Sequence, residues 1–337
     1  MRWDSLFSGA EEVPIDVTGK GAIAIDALEV DPQGNLIIPD PRNDRILFLD
    51  SRGQLIRQVG GKGEGPGEFK SLRSAALDSA GNLLVFDQVA KRVSVFTTPE
   101  YTFSRSFDLD PVLASMIGLP SQSIVAFCPT EEERLLKFDL EGRTVRRAFR
   151  PKRERIGTFL ARTHTGGLSR DPRGDGFYFI YPDEFAIFHY DSDLNIKRVI
   201  RSPSASSHWR PRMPGLPDSL SPYDFDPAHK QWWDSHLHID RIFSLDKDLL
   251  LVTLYETQGF KDQARYLNIY TSDGLVIAEG IRIPHPLRIV GTAPGVVYAA
   301  TLPYLDAEER LHPPTLQRYS FLEVPVAADR TVESPSP

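Results

Sequence analysis

A short extended motif recurs six times along the chain, and this recurrence limits the possible fold more than any other feature. The segment Arg45 to Leu49 (RILFL) is echoed by Arg92 to Phe96 (RVSVF), Arg134 to Phe138 (RLLKF), Ala186 to Tyr190 (AIFHY), Tyr266 to Tyr270 (YLNIY) and Thr315 to Tyr319 (TLQRY). Each echo but the last runs into a polar turn (DSRG, TTPE, DLEG, DSDL, TSDG) and a further extended stretch, the mark of an antiparallel hairpin. A second hairpin precedes it, clearest in LEVDPQGNLIIPD and AALDSAGNLLVFD, where Gly34-Asn35 and Gly81-Asn82 supply the turn chemistry. Two hairpins make a four-stranded unit that cannot bury its faces alone, so the units must stack on one another. Six such units read as an all-β chain, a six-bladed β-propeller of four-stranded antiparallel blades.

Counted between the last residues of successive echoes, the steps are 47, 42, 52, 80 and 49 residues. The long step, from Tyr190 to Tyr270, exceeds one blade by about 35 residues, and Arg201 to Ser235 is rich in Pro, Ser, Asp and aromatic residues, as a loop is. Residues 1–326 are therefore expected to form one domain, with blades at about 22–60, 70–108, 111–150, 157–200, 236–282 and 284–325 and a loop insertion at 201–235. The polar, proline-bearing tail 327–337 is expected to be disordered. A ring must hide its edges, and the extended segment Val13 to Ile25 is expected to pair with the last blade as the closing strand.

Composition removes several function classes. The net charge is −7 and basic runs are short (Arg146-Arg147, Lys152 to Arg155), which argues against nucleic-acid partners, since phosphate backbones require a dense positive stripe. No apolar run approaches the roughly 18 residues of a membrane span, so a soluble, monomeric chain is expected. The single cysteine, Cys128, ends the apolar run IVAFC and is expected to be a buried thiol rather than a nucleophile. The glycines of GGKGEGPGEF lack the Lys-Ser/Thr and following helix of a phosphate cradle.

The run GGKGEGPGEF at Gly60 to Phe69, followed by GNLLVFDQVAKRVSVF, resembles the NHL-repeat proteins and the related bacterial six-bladed propellers of TolB-like architecture. Blade two carries the full pattern, and blade one carries it through GNLIIPDPRNDRILFLD. The later blades share only the hydrophobic rhythm. The resemblance implies the ring and a periplasmic or secreted location. It leaves activity open, because that ring hosts binding scaffolds, lactonases and lyases.

In a four-stranded blade, the linkers between blades and the loop between the second and third strands share one face, and the hairpin turns share the other. The long segments Gly60 to Leu72, Pro129 to Glu133, Arg201 to Ser235, Glu256 to Ala264 and Pro303 to Pro314 all fall on the linker face, where binding residues are expected. Arg73, His164, His238, Arg241 and Arg288, with Asp240 as a carboxylate partner, stand near the starts of innermost strands. Cations around one opening suit an anionic ligand, and ion pairing between blades explains them equally well. Trp209, Trp232 and Trp233 in the insertion are candidates for a ligand-covering lid or for the loop's own small core. His236 and His238 alternate onto one side of a strand, a spacing able to hold zinc or calcium, with His164 as a further ligand.

Two readings stay open on these residues. One is a non-catalytic propeller that binds a small molecule, peptide or protein through the loop face. The other is a metal-dependent hydrolase or lyase with a histidine-containing site at the channel mouth.

Overall fold

The computed structural model describes residues 1–15, 23–151, 167–174, 176–181, 184–201, 237–256, 264–301, 304–305 and 311–322. A 3-10 turn at Trp3–Ser5 leads into β1 (Phe7–Val13). Blade one follows with β2 (Glu29–Val30), β3 (Leu36–Asp40), β4 (Arg45–Leu49) and β5 (Leu55–Gly60). Blade two has β6 (Leu72–Leu77), β7 (Leu83–Asp87), β8 (Arg92–Thr97) and β9 (Thr102–Asp108). Blade three has β10 (Ser115–Leu119), β11 (Ser123–Phe127), β12 (Leu135–Phe138) and β13 (Thr144–Ala148). Blade four has β14 (Gly167–Arg170), β15 (Phe177–Tyr181), β16 (Glu184–Tyr190) and β17 (Ile196–Arg201). Blade five has β18 (Leu237–Ser244), β19 (Leu249–Glu256), β20 (Arg265–Thr271) and β21 (Val276–Arg282). Blade six has β22 (Leu287–Ala293) and β23 (Val296–Thr301), a small hairpin of β24 (Tyr304–Leu305) and β25 (Leu311–His312), and then β26 (Leu316–Phe321).

The first strand of each blade faces the channel and the fourth faces solvent. Blade six obtains its fourth strand from β1, which pairs antiparallel with β26 and closes the six-bladed ring. The closing strand thus lies earlier than Val13 to Ile25, and Val13 is its last residue. The reason is apolar anchoring. Phe7 and Val13 are buried at the two ends of β1, Phe7 meets Phe321 at 5.6 Å, and Trp3 packs against Phe7 at 4.2 Å and Tyr319 at 5.3 Å.

Strand composition follows radial position. LIIPD, LLVFD, SIVAF and FYFIY, all second strands, are buried at every residue because a neighbouring blade covers each face. The outer strands LIRQVG and TFSRSFD alternate instead, with solvent on one side. The apolar side chains form clusters between adjacent blades, one for each contact around the ring.

The glycine-rich linker is structural. Phe69 is fully buried between blades one and two, and Gly60 adopts φ +81° with a Cβ position only 2.3 Å from the Phe69 ring, so no side chain fits there. Arg92 ties the linker down by donating to the carbonyls of Gly65 (3.2 Å) and Glu68 (2.8 Å). Asp40 and Arg45 in blade one, and Asp87 and Arg92 in blade two, stand opposite one another at matching positions but bond differently. Arg45 donates to Asp40 at 2.9 Å, whereas Asp87 accepts from the backbone amides of Lys70, Ser71, Val89 and Ala90.

Candidate functional site

Three of the six innermost strands are interrupted near their starts by a β-bulge, a device that re-aims side chains at the rims of closed sheets. In β6 the extra residue is Arg73, in β18 it is Asp240, and in β22 it is Val290. The inner strands of blades three and four run in register without such a shift. Among the described residues, bulging of the inner strands is therefore confined to the arc of the ring that carries Arg73, Arg241 and Arg288.

The electrostatics of that arc centre on Arg241. It follows the bulge at Asp240, and its backbone amide is held by Thr253 Oγ1 at 3.1 Å. Burial and the nearby charge of Arg288 push its pKa down to about 10, against the opposing pull of Asp240 and Asp26. Its guanidinium makes no hydrogen bond among the described residues. Arg288 donates to both the carbonyl (2.7 Å) and the carboxylate (2.8 Å) of Asp26, while its Nε is buried with no hydrogen-bond partner among the described residues. Arg265 donates to Asp240 at 2.9 Å and lies over the Tyr255 ring at 5.8 Å; burial lowers its pKa also. Burial lowers that of Arg73 in the same way.

His238 is 5% exposed and packs on Tyr255 with ring centroids 5.3 Å apart. Burial, reinforced by the Asp240 charge, raises the Tyr255 phenol. Three cations, Arg241, Arg265 and Arg288, thus meet two carboxylates, Asp26 and Asp240, at the loop-face end of the channel. At the other end Arg170, from the close of β14, reaches Glu29 of β2 at 3.5 Å. Blades one and four stand opposite one another in a six-membered ring, so this pair spans the channel. Burial raises the Glu29 carboxyl, with Arg170 opposing the shift.

Of the sequence candidates, His238, Asp240, Arg241 and Arg288 belong to one electrostatic cluster, and Arg73 stands on the bulged start of the blade-two inner strand. His164, Trp209, Trp232, Trp233 and His236 lie outside the described residues. Arg265, Asp26 and Tyr255 join the cluster without having been singled out by sequence. Arg265 carried a usable signal, because third strands of earlier blades begin with Arg45 and Arg92 at the same face. Among the described residues no three His, Cys, Asp or Glu side chains converge as a metal site would need. Cys128 is fully buried and burial raises its thiol pKa, as expected of a core residue.

A family model named DUF5128, described as a 6-bladed beta-propeller, matches residues 21–166. Among solved structures, a protein of Bacteroides fragilis NCTC 9343 superposes with a TM-score of 0.65 at 10% identity over 96% of this chain and 97% of that one. A DUF4221 family member from Bacteroides vulgatus ATCC 8482 gives a TM-score of 0.65 at 12% identity, over 94% and 97%. A catalytically inactive virginiamycin B lyase from Staphylococcus aureus, solved with quinupristin, gives 0.52 at 10% identity, over 91% and 87%. At these identities the likeness is one of fold.

Proposed function

We propose that this protein is a ligand-binding propeller whose loop-face channel mouth receives an oxyanion, a carboxylate or phosphate carried by a small molecule or peptide. The observation that carries this reading is Arg241. A cation that is half-buried, crowded by Arg265 and Arg288 and unbonded among the described residues is held against its own electrostatic preference, an arrangement that an incoming anion would relieve. The buried, unsatisfied Nε of Arg288 is a second donor for the same ligand. The cluster sits where two inner strands, β18 and β22, are bulged, on rigid elements rather than on loops alone.

A metal-dependent hydrolase or lyase would need His236 and His164 beside His238, and both lie outside the described residues. The binding reading rests on Arg241 and Arg288. Calorimetric titration of the purified protein with citrate, succinate and inorganic phosphate tests it. Saturable binding by at least one of them, weakened about tenfold or more in Arg241→Met, is the expected result, since a lost charge-assisted hydrogen bond is worth about 1.5–3 kcal/mol. Binding that survives Arg241→Met unchanged, or its absence for all three, overturns the reading. Stoichiometric zinc that disappears in His238→Ala would instead establish the metal site.

A further inference from the structure

The blade-four repeat departs from its neighbours at several touching positions on the hairpin face, away from the channel mouth. In blades one and two the first turn closes in the same way: one oxygen of Asp31 or Asp78 accepts two backbone amides, and the other accepts the side-chain amide of Asn35 or Asn82. In blade four the turn begins with Asp171 but is one residue longer: the Asp171 amide donates to the carbonyl of Gly176 where Asp31 and Asp78 donate to Asn35 and Asn82, so no asparagine side chain closes it. Asp171 is bound instead by Arg173, through Nε and Nη2 at 2.9 Å each, and faces His189 Nε2 at 2.9 Å.

The cross-strand pair behind the turn has changed as well. It is Ile37 with Phe48 in blade one and Leu84 with Val95 in blade two, but Tyr178 with His189 in blade four, stacked at 4.6 Å. Gly176 is needed for this arrangement, since a Cβ there would lie 2.6 Å from the Tyr190 carbonyl and 3.1 Å from His189 Nε2.

These exchanges turn what is apolar packing elsewhere into a polar crevice of about 440 Å³ between blades four and five. Arg173 bridges the blades through Ser272 Oγ at 2.7 Å and also donates to the Tyr178 hydroxyl, so its donors are largely consumed within the protein. The donors left for a ligand are on β17. Arg198, the cross-strand neighbour of His189, gives one N–H to the Asp273 carbonyl and keeps the rest of its fork. The Lys197 ammonium makes no hydrogen bond or ion pair among the described residues. Arg173, Lys197 and Arg198 stand against two carboxylates, Asp171 and Asp273, leaving the lining cationic.

We infer that this crevice is a second binding site, independent of the channel mouth, which takes a small oxyanion on Lys197 and Arg198 beside the His189 ring. Inorganic phosphate and acetate are the probes, one tetrahedral and one planar. The readout is the ring nitrogen and carbon-bound proton signals of His189, assigned by their loss in His189→Phe. Saturable displacement of the His189 signals by either probe is expected, weakened about tenfold in Arg198→Ala and retained in Arg241→Met. Arg198 and Lys197 are exposed on an outer strand, so Arg198→Ala and Lys197→Ala should leave the unfolding midpoint nearly unchanged. No saturable displacement with either probe, or displacement that persists undiminished in the double Lys197→Ala, Arg198→Ala variant, overturns the inference. Displacement lost in Arg241→Met does so too, because it would mean that both sets of signals report the channel mouth.

Discussion

The channel mouth and the crevice between blades four and five both gather arginine beside aspartate, and they handle the charge in opposite ways. In the crevice, the Asp171 carboxylate is answered by Arg173 through Nε and Nη2. Burial alone would raise its pKa, but contacts from His189 and Arg173 outweigh that and hold it well below the usual carboxylate range. At the mouth the balance is reversed, and burial drives the Arg241 guanidinium down to about 10. Charge that is fully answered by neighbours serves cohesion between blades. Charge that burial and like neighbours disfavour adds nothing to folding, and such groups collect at functional sites.

The sharpest way to break this contrast is to remove that carboxylate. Asp171→Ala should lower stability by about 2–3 kcal/mol in denaturant unfolding, because Arg173 loses its acceptor while remaining in the crevice. A variant as stable as the parent would mean the network is ornamental. Arg241→Met should do the reverse: by replacing a disfavoured cation with an apolar chain of similar length, it is expected to be neutral or to stabilise by about 1 kcal/mol while weakening anion binding at the channel mouth about tenfold. A large loss of stability would recast Arg241 as structural.

Acid unfolding separates the clusters by pH. A carboxyl depressed on folding contributes stability that is present above its unfolded pKa, near 3.8, and lost as pH falls below it toward the folded value. Asp171→Asn should therefore show a shallower acid limb than the parent below about pH 4, and an unchanged slope would sink the assignment. The smallest effect is expected at the channel-spanning pair. Glu29 is raised on folding, so its contribution is full below the unfolded pKa and declines as pH rises through the folded one. Glu29→Gln should raise the unfolding temperature slightly at neutral pH relative to acid, and a fall at neutral pH would show that the ion pair with Arg170 outweighs its desolvation.

Much of the architecture was legible in the residues. Blade number, hairpin pairing and the burial of the central strands follow from local periodicity and turn chemistry, which act over a few residues and leave a trace in any one repeat. The position of Arg73, Arg241 and Arg288 near inner-strand starts was legible for the same reason. Their surroundings were not. A bulge at Asp240 offsets Arg241 from the regular pairing of Leu237 to Ile239, and nothing in LHIDRIFS announces it.

The sequence by itself determined a ring of six four-stranded blades, because repeated amphipathic hairpins have few other ways to bury their faces. Tertiary structure alone decided which distant residues meet. Closing the ring brought Asp26 to Arg288, carried Arg170 across the channel to Glu29, and chose Phe7–Val13 as the sealing strand. Those contacts join residues far apart in the chain, so they depend on the curvature and stagger of the whole assembly, which no single repeat encodes.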